Sequence, residues 1–204
     1  MSTRTAAGPQ STPPATESDL LALPDEGRGW ELLDGQLVEK QAGARHSRSQ
    51  SRLNQVVLPY DRAGGGGQRP GGWVFLTEQL VRFGSQTLRP DVAGWRRERY
   101  VEPPVGQDAV LGVRPDWICE ILSDGNATND TIKKKRIYHR HEVPHYWLLD
   151  PTHESLTVLR WTATGYLEVL NALRGERVRA EPFDLVEFAV GSLFGEDEGE
   201  EPGE

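Results

Sequence analysis

Residues 114–138 read RPDWICEILSDGNATNDTIKKKRIY, and the fold turns on this stretch. Its first part, 116–123, alternates like a strand: Ile118, Glu120 and Leu122 fall on one face, Trp117, Cys119 and Ile121 on the other. Both faces are largely apolar, so the strand is expected to be covered on both sides. Glu120 is then a carboxylate inside a core, a placement that costs on the order of several kcal/mol unless a partner or a cation offsets it. After a turn at Asp124, Gly125 and Asn126 the pattern becomes helical, and spacing of four puts Asp130, Lys134 and Tyr138 along one helix face. That face can supply Glu120 with its partner.

Downstream, 143–151 is an apolar strand ended by Asp150-Pro151. The segments 156–161 and 166–173 alternate as a hairpin around 163–165, 177–183 adds an edge strand, and the apolar cluster 186–194 is expected to pack against the domain. Upstream, 29–40 reads as a hairpin, because Asp34-Gly35 suits a turn whose two central residues both need positive φ. Leu53, Val56, Val57 and Tyr60 recur at helical spacing and mark a helix within 46–63. The glycine-rich run 64–72 lacks a Gly-Lys-Ser/Thr ending and joins no strand to a helix, so it reads as a connection and not as a phosphate loop. Residues 73–83 and 86–95 resemble two strands joined at Gly84-Ser85. Pro90 has no N–H to donate, which places an edge, a bulge or an irregular end just before Asp91. A polar connection, 96–113, leads back to the organising strand. The order hairpin, helix, strands, helix, strands predicts a mixed α/β or α+β domain around a central mixed sheet.

A chain of 204 residues with 36% hydrophobic content suits one domain with a sizeable core. Residues 1–18 are rich in Ser, Thr, Pro and Ala and are expected to form a disordered tail, 19–194 the domain, and 195–204 an acidic disordered tail. The formal charge of −8 is concentrated in that last run, which holds six acidic residues and leaves about −2 elsewhere, so overall charge does not exclude nucleic acid. The lone Cys119 cannot form an internal disulfide and reads as a small buried hydrophobe. Neither a signal-peptide order nor an apolar run long enough to span a membrane is present, so the chain reads as soluble and cytoplasmic.

Asp91 and Glu120 can converge if their strands are neighbours. Two hard oxygen ligands suit Mg²⁺ or Mn²⁺, with water, a backbone carbonyl and substrate phosphate in the remaining positions. Lys134 on the adjoining helix could orient or deprotonate an attacking water, or stabilise charge building on a scissile phosphate. Together these residues fit metal-assisted phosphodiester hydrolysis.

Arg89-Pro90-Asp91, Glu120-Ile121-Leu122-Ser123, then Asp130, Lys134 and Tyr138, then 143–151 (VPHYWLLDP), occur in an order and spacing that resemble the Uma-type family of bacterial endonucleases. That family lies in the PD-(D/E)XK restriction-endonuclease-like superfamily. The similarity extends over about 30–194, since Trp30-Glu31-Leu32-Leu33-Asp34-Gly35 and His46 resemble the family's opening hairpin and first helix. The resemblance implies an α-β-β-β-α-β core and a Mg²⁺-dependent DNA endonuclease that acts as a homodimer. Asp91 and Glu120 would be metal ligands, with the Ile121 carbonyl beside them. The chain departs from the usual motif by carrying Leu122 two residues after the glutamate, where a lysine is common; Lys134 matches a lysine moved to the following helix. Ser123-Asp124-Gly125 replaces the family's Ser-Pro-Ser, leaving Asp124 as a further ligand or a helix cap.

Plainer readings stand beside these. Asp130 and Lys134 also suit an ordinary i, i+4 ion pair. Lys133, Lys135, Arg136 and Arg140 read as a solvated helix face or as contacts to DNA phosphates. Glu31 is a third acidic ligand or a strand-edge charge, and His46 a polar residue at a helix start. His139, His141 and His145 lack zinc spacing, and Trp73, Trp95, Trp117, Trp147 and Trp161 fill the core or an interface, or stack on a base where exposed. The rival to an enzyme is a non-catalytic module of the same fold, binding nucleic acid or a protein partner, in which Asp91, Glu120 and Lys134 form a salt-bridge network.

Overall fold

The computed structural model describes residues 13–40, 42–64, 69–104, 109–123 and 128–196, the side chains of Asn129 and Asp130 excepted. The turn expected at 124–126, the Asp130 contact, residues 1–12 and the acidic run from 197 onward lie outside the described residues.

The first helix, α1 (Glu17–Leu21), begins at the end of the span 1–18 expected to be a tail and continues into the domain. Thr16 makes this possible: its hydroxyl accepts from the Asp19 amide while the Asp19 carboxylate accepts from the Thr16 amide at 2.8 Å, a reciprocal cap. Leu20 is then fully buried. A single turn, α2 (Pro24–Gly27), with Asp25 and Glu26 left-handed, leads to the hairpin β1 (Trp30–Leu33) and β2 (Gln36–Glu39). Asp34 (φ 51°) and Gly35 (φ 72°) are both left-handed, as the Asp-Gly turn requires. Next comes α3 (Ala44–Val57), which buries Leu53 and Val57 and ends in a 3₁₀ turn at Leu58–Tyr60.

The two long strands expected from 73–83 and 86–95 are four short ones: β3 (Trp73–Thr77), β4 (Leu80–Phe83), β5 (Gln86–Leu88) and β6 (Val92–Arg96). Glu78 takes a left-handed backbone (φ 55°) and ends β3, while Pro90, which cannot donate to a ladder, separates β5 from β6. At each break the chain changes sheets. The pair β4–β5 belongs to a five-stranded sheet of order β2-β1-β5-β4-β7, where β7 is Val110–Leu111 within the stretch read as a plain connection. The pair β3–β6 belongs to a six-stranded sheet of order β11-β10-β9-β8-β6-β3. Its other strands are β8 (Trp117–Ile121), β9 (His145–Asp150), β10 (Ser155–Thr162) and β11 (Gly165–Leu173). Each sheet is mixed, with one parallel pair, β4–β7 in one and β8–β9 in the other. Between β8 and β9 a π-helical turn (Asn129–Lys134) runs into α4 (Lys135–Arg140). The expected edge strand at 177–183 shrinks to β12 (Arg177–Val178), paired with β13 (Phe188–Ala189) before a closing 3₁₀ turn at Val190–Phe194.

The six-stranded sheet is covered on both faces, as the reading of β8 requires. Trp117, Cys119 and Ile121 face a core built with Leu53 and Val57 of α3 and with Phe183, Phe188 and Leu193. Ile118 faces the opposite core, shared with Ile137 and Tyr138 of α4 and with Val81, Phe83 and Leu88 of the five-stranded sheet. Trp73, Trp95, Trp117 and Trp147 are fully buried, and Trp117 packs edge-on against Trp147 at 5.4 Å between ring centres; Trp161 is only half-buried. Cys119 is a buried free thiol whose pKa burial pushes up. The architecture is a mixed α+β domain of two mixed sheets with few helices.

Candidate active site

Where the chain crosses from β5 to β6, Arg89 clamps the corner. Its guanidinium donates to the carbonyls of Trp30 (3.3 Å), Gly27 (3.2 Å) and Glu78, tying the first hairpin to the point where the two sheets meet. The chain then turns at Pro90 and delivers Asp91, 1% exposed, beside β8. Asp91 Oδ2 accepts from the Ile121 amide at 2.6 Å. Asp91 Oδ1 meets the Lys40 ammonium at 2.5 Å and His46 Nε2 at 3.1 Å. Gln50, one turn along α3 from His46, donates to the Asp91 carbonyl (3.0 Å) and to Glu78 Oε1 (2.9 Å), joining Glu78, at one sheet change, to Asp91, just after the other at Pro90.

Glu120, on the inward face of β8, is completely buried. The Tyr138 hydroxyl donates to its Oε1 at 2.6 Å, and Lys134 Nζ lies 3.3 Å from the same oxygen. Lys134 also reaches Glu31 Oε2 at 3.1 Å, and the Arg89 amide donates to that oxygen at 3.2 Å. Lys40 lies 3.9 Å from Glu120 Oε2 and so spans the two expected ligands.

The structure thus brings Asp91, Glu120, Lys134 and Glu31 into one cluster. Glu31 is not a strand-edge charge; it is 2% exposed and paired with Lys134. Of the three consecutive lysines, Lys134 is 1% exposed, Lys135 half-buried, and Lys133 exposed and near Asp34, so Lys134 is the one buried in the cluster although the turn that carries it is π-helical. Ile121 meets Asp91 through its amide. Four participants were missed or read otherwise. His46 is a buried contact of Asp91 and more than a helix-start residue. Lys40 closes a hairpin strand, Glu78 sits within an apparent long strand, and Gln50 lies on a polar helix face; none carries a sequence signal linking it to Asp91.

Burial by itself would raise the Asp91 pKa, but the Lys40 ammonium and His46 outweigh it and hold the carboxyl well below the usual range. Burial likewise acts to lower Lys40, and the Asp91, Glu120 and Glu78 carboxylates reverse this, so Lys40 remains charged. Tyr138 is pushed well up by burial and by Glu120, which keeps its hydroxyl a donor. Glu78, nearer the surface, is raised chiefly by burial.

Among the described residues no three His, Cys, Asp or Glu side chains are arranged to hold a metal ion. The donor set here is the Asp91–Glu120 pair. Mg²⁺ is commonly held by one or two carboxylates, with waters and substrate phosphate completing its shell, so this pair fits such an ion. Charge points the same way, because three buried carboxylates (Glu31, Asp91, Glu120) surround two ammoniums (Lys40, Lys134). The cluster opens to solvent through a cavity of about 530 Å³ lined by Arg28, Lys40, His46, Gln50, Glu78 and Arg89.

Comparison with known proteins agrees with this architecture. The Uma2 family, described as “Putative restriction endonuclease”, matches residues 17–191. A crystal structure described as “a putative nuclease belonging to DUF820”, from Anabaena variabilis, superposes with a TM-score of 0.66 at 23% identity, covering 89% of this chain and 98% of that one. No curated protein matches the chain.

Proposed function

The chain belongs to the Uma2 family, and on that premise we propose that it is a Mg²⁺- or Mn²⁺-dependent endonuclease that hydrolyses phosphodiester bonds of DNA. The observation that supports this reading is that Asp91, just before β6, and Glu120, on the neighbouring β8, flank one buried ammonium, that of Lys40 (2.5 and 3.9 Å), whose side chain lines the cavity. Asp91 and Glu120 would hold the ion, with water and the Ile121 carbonyl beside them. A bound divalent cation supplies Lewis-acid polarisation of a phosphoryl oxygen and a more acidic water.

The remaining steps belong to the chain's own residues. Tyr138 and Lys134 fix the Glu120 carboxylate through its Oε1. The Ile121 amide and His46 fix Asp91. Lys134 adds a positive charge that stabilises the transition state as negative charge builds on the phosphoryl oxygens. Arg28, exposed at the mouth, and Lys135, Arg136 and Arg140 on the α4 face supply cations for the DNA backbone. Since one such centre cuts one strand, a double-strand break calls for a homodimer. Among the described residues no helix is long and apolar enough to cross a membrane, and we place the protein in the cytoplasm with its substrate.

Incubating supercoiled plasmid with the protein across a Mg²⁺ and Mn²⁺ titration tests this reading. Nicked and linear products should appear only with metal and vanish in Asp91→Asn. Metal-independent cleavage would contradict the metal dependence, and no cleavage under any metal while the protein still retards DNA on a gel supports the non-catalytic module instead.

A further inference from the structure

Lys40 Nζ has oxygen neighbours on several sides: Asp91 Oδ1 at 2.5 Å, the Arg89 carbonyl at 2.7 Å, Glu78 Oε2 at 3.5 Å and Glu120 Oε2 at 3.9 Å. This mixture of carboxylate and carbonyl oxygens is the kind of shell a hard divalent cation takes. Lys134 approaches Glu120 from its other oxygen, Oε1, and leans on Glu31. The two lysines therefore hold different places. Lys134 braces the cluster from within, whereas Lys40 stands between Asp91 and Glu120 and itself lines the cavity.

We propose that, in the metal-free protein, the Lys40 ammonium is a tethered cation occupying the divalent-metal position, and that metal binds only after this side chain swings out; the proposal rests on the metal-dependent reading above. Two cations cannot share the same pair of carboxylate oxygens at contact distance, since the charges repel and each needs the same lone pairs. Displacement is sterically open. Lys40 follows directly on β2, its side chain is 11% exposed, and it lines the cavity beside Arg28, so its flexible stem can turn the ammonium into water. The metal's apparent affinity is then reduced by the fraction of molecules in which Lys40 is already out. The tethered cation also keeps Asp91 and Glu120 from repelling each other before metal arrives, so the fold does not depend on metal.

The test is calorimetric titration of MnCl₂ into the full-length protein, comparing wild type with Lys40→Met, Lys40→Gln and Glu120→Gln. Lys40→Gln keeps a hydrogen-bond donor for Asp91 in case the methionine variant does not fold. The proposal expects both Lys40 variants to bind Mn²⁺ at least tenfold more tightly than wild type. It also expects Lys40, protected from acetic anhydride in the metal-free wild type, to become reactive when Mn²⁺ is added, as read by mass spectrometry. Unchanged or weaker Mn²⁺ binding in the Lys40 variants, with binding in wild type abolished by Glu120→Gln, overturns the proposal and leaves the metal-dependent reading intact. Lys40 that stays protected in the Mn²⁺-bound protein overturns it equally. Mn²⁺ binding that appears only in the Lys40 variants supports it, whereas no binding in any variant, or binding indifferent to Glu120→Gln, removes the proposal and the reading together.

Discussion

Replacing Lys134 by methionine keeps most of the side-chain volume and removes the charge, which isolates what the ammonium does for the fold. Lys134 Nζ lies 3.1 Å from Glu31 Oε2 and 3.3 Å from Glu120 Oε1, so those oxygens are at most about 6.4 Å apart. Without the ammonium they repel by about 2.6 kcal/mol or more at an effective dielectric constant near 20. Removing one partner of a buried ion pair costs about 3–5 kcal/mol, and the repulsion accounts for much of that. For a domain of this size the loss corresponds to a Tm lower by roughly 6–20 °C. The assay is urea and thermal denaturation followed by circular dichroism, run on Lys134→Met, Glu31→Gln and the double variant. Glu31→Gln should recover about 2 kcal/mol or more when combined with Lys134→Met, because it removes one of the two facing charges. A Lys134→Met penalty below about 1 kcal/mol, or a double variant less stable than either single one, would refute the reasoning. Burial thus gives Lys134 a structural role beside the chemical one proposed for it, and any loss of cleavage in its variants must be read against their folded fraction.

Other perturbations follow from the same geometry. Tyr138→Phe deletes the hydroxyl that donates to Glu120 at 2.6 Å, and should lower stability by about 1.5–3 kcal/mol in urea titrations. A Cβ on Gly94 would stand 2.9 Å from Phe75 and 3.2 Å from Trp117, so Gly94→Ala should cost about 1–3 kcal/mol, and Phe75→Leu in the same chain should return part of it. Burial, helped by Arg96 and Arg160, lowers the His145 pKa to about 4. The unfolded chain therefore takes up this proton first as pH falls, and the stability present above about 6.5 is lost between about 6.5 and about 4, by at most about 3 kcal/mol. Urea midpoints measured from pH 7 to pH 4 should fall less steeply in His145→Gln than in wild type; parallel curves would contradict this.

Elements whose local pattern matched their tertiary role could be read directly. The strand β8 was recognisable with its faces correctly divided, since only Glu120 interrupts an otherwise apolar run on either side. The Asp34-Gly35 hairpin and the β10–β11 hairpin followed from turn chemistry and alternation. The sheet changes at Glu78 and Pro90 were less visible. Both lie inside runs that alternate well enough for one strand, and which sheet each half joins is decided by packing far away in sequence. Lys40 left no trace at all. A lysine at the end of a hairpin ordinarily belongs to the solvated rim, and nothing local records that Asp91 folds onto it. Lys134 was found because only it, among three consecutive lysines, shares a face with Tyr138, a relation that survived the π-helical turn before α4.

The position of a bound divalent ion is the most direct test of the metal-dependent reading. Crystals of the full-length protein soaked in MnCl₂ and measured for the anomalous scattering of manganese should show one peak between Asp91 and Glu120. Each residue should place a carboxylate oxygen roughly 2.0–2.6 Å from the ion, with the Lys40 ammonium turned toward solvent. Lys40 still seated between the two carboxylates in Mn²⁺-saturated crystals, with manganese elsewhere or absent, would contradict it.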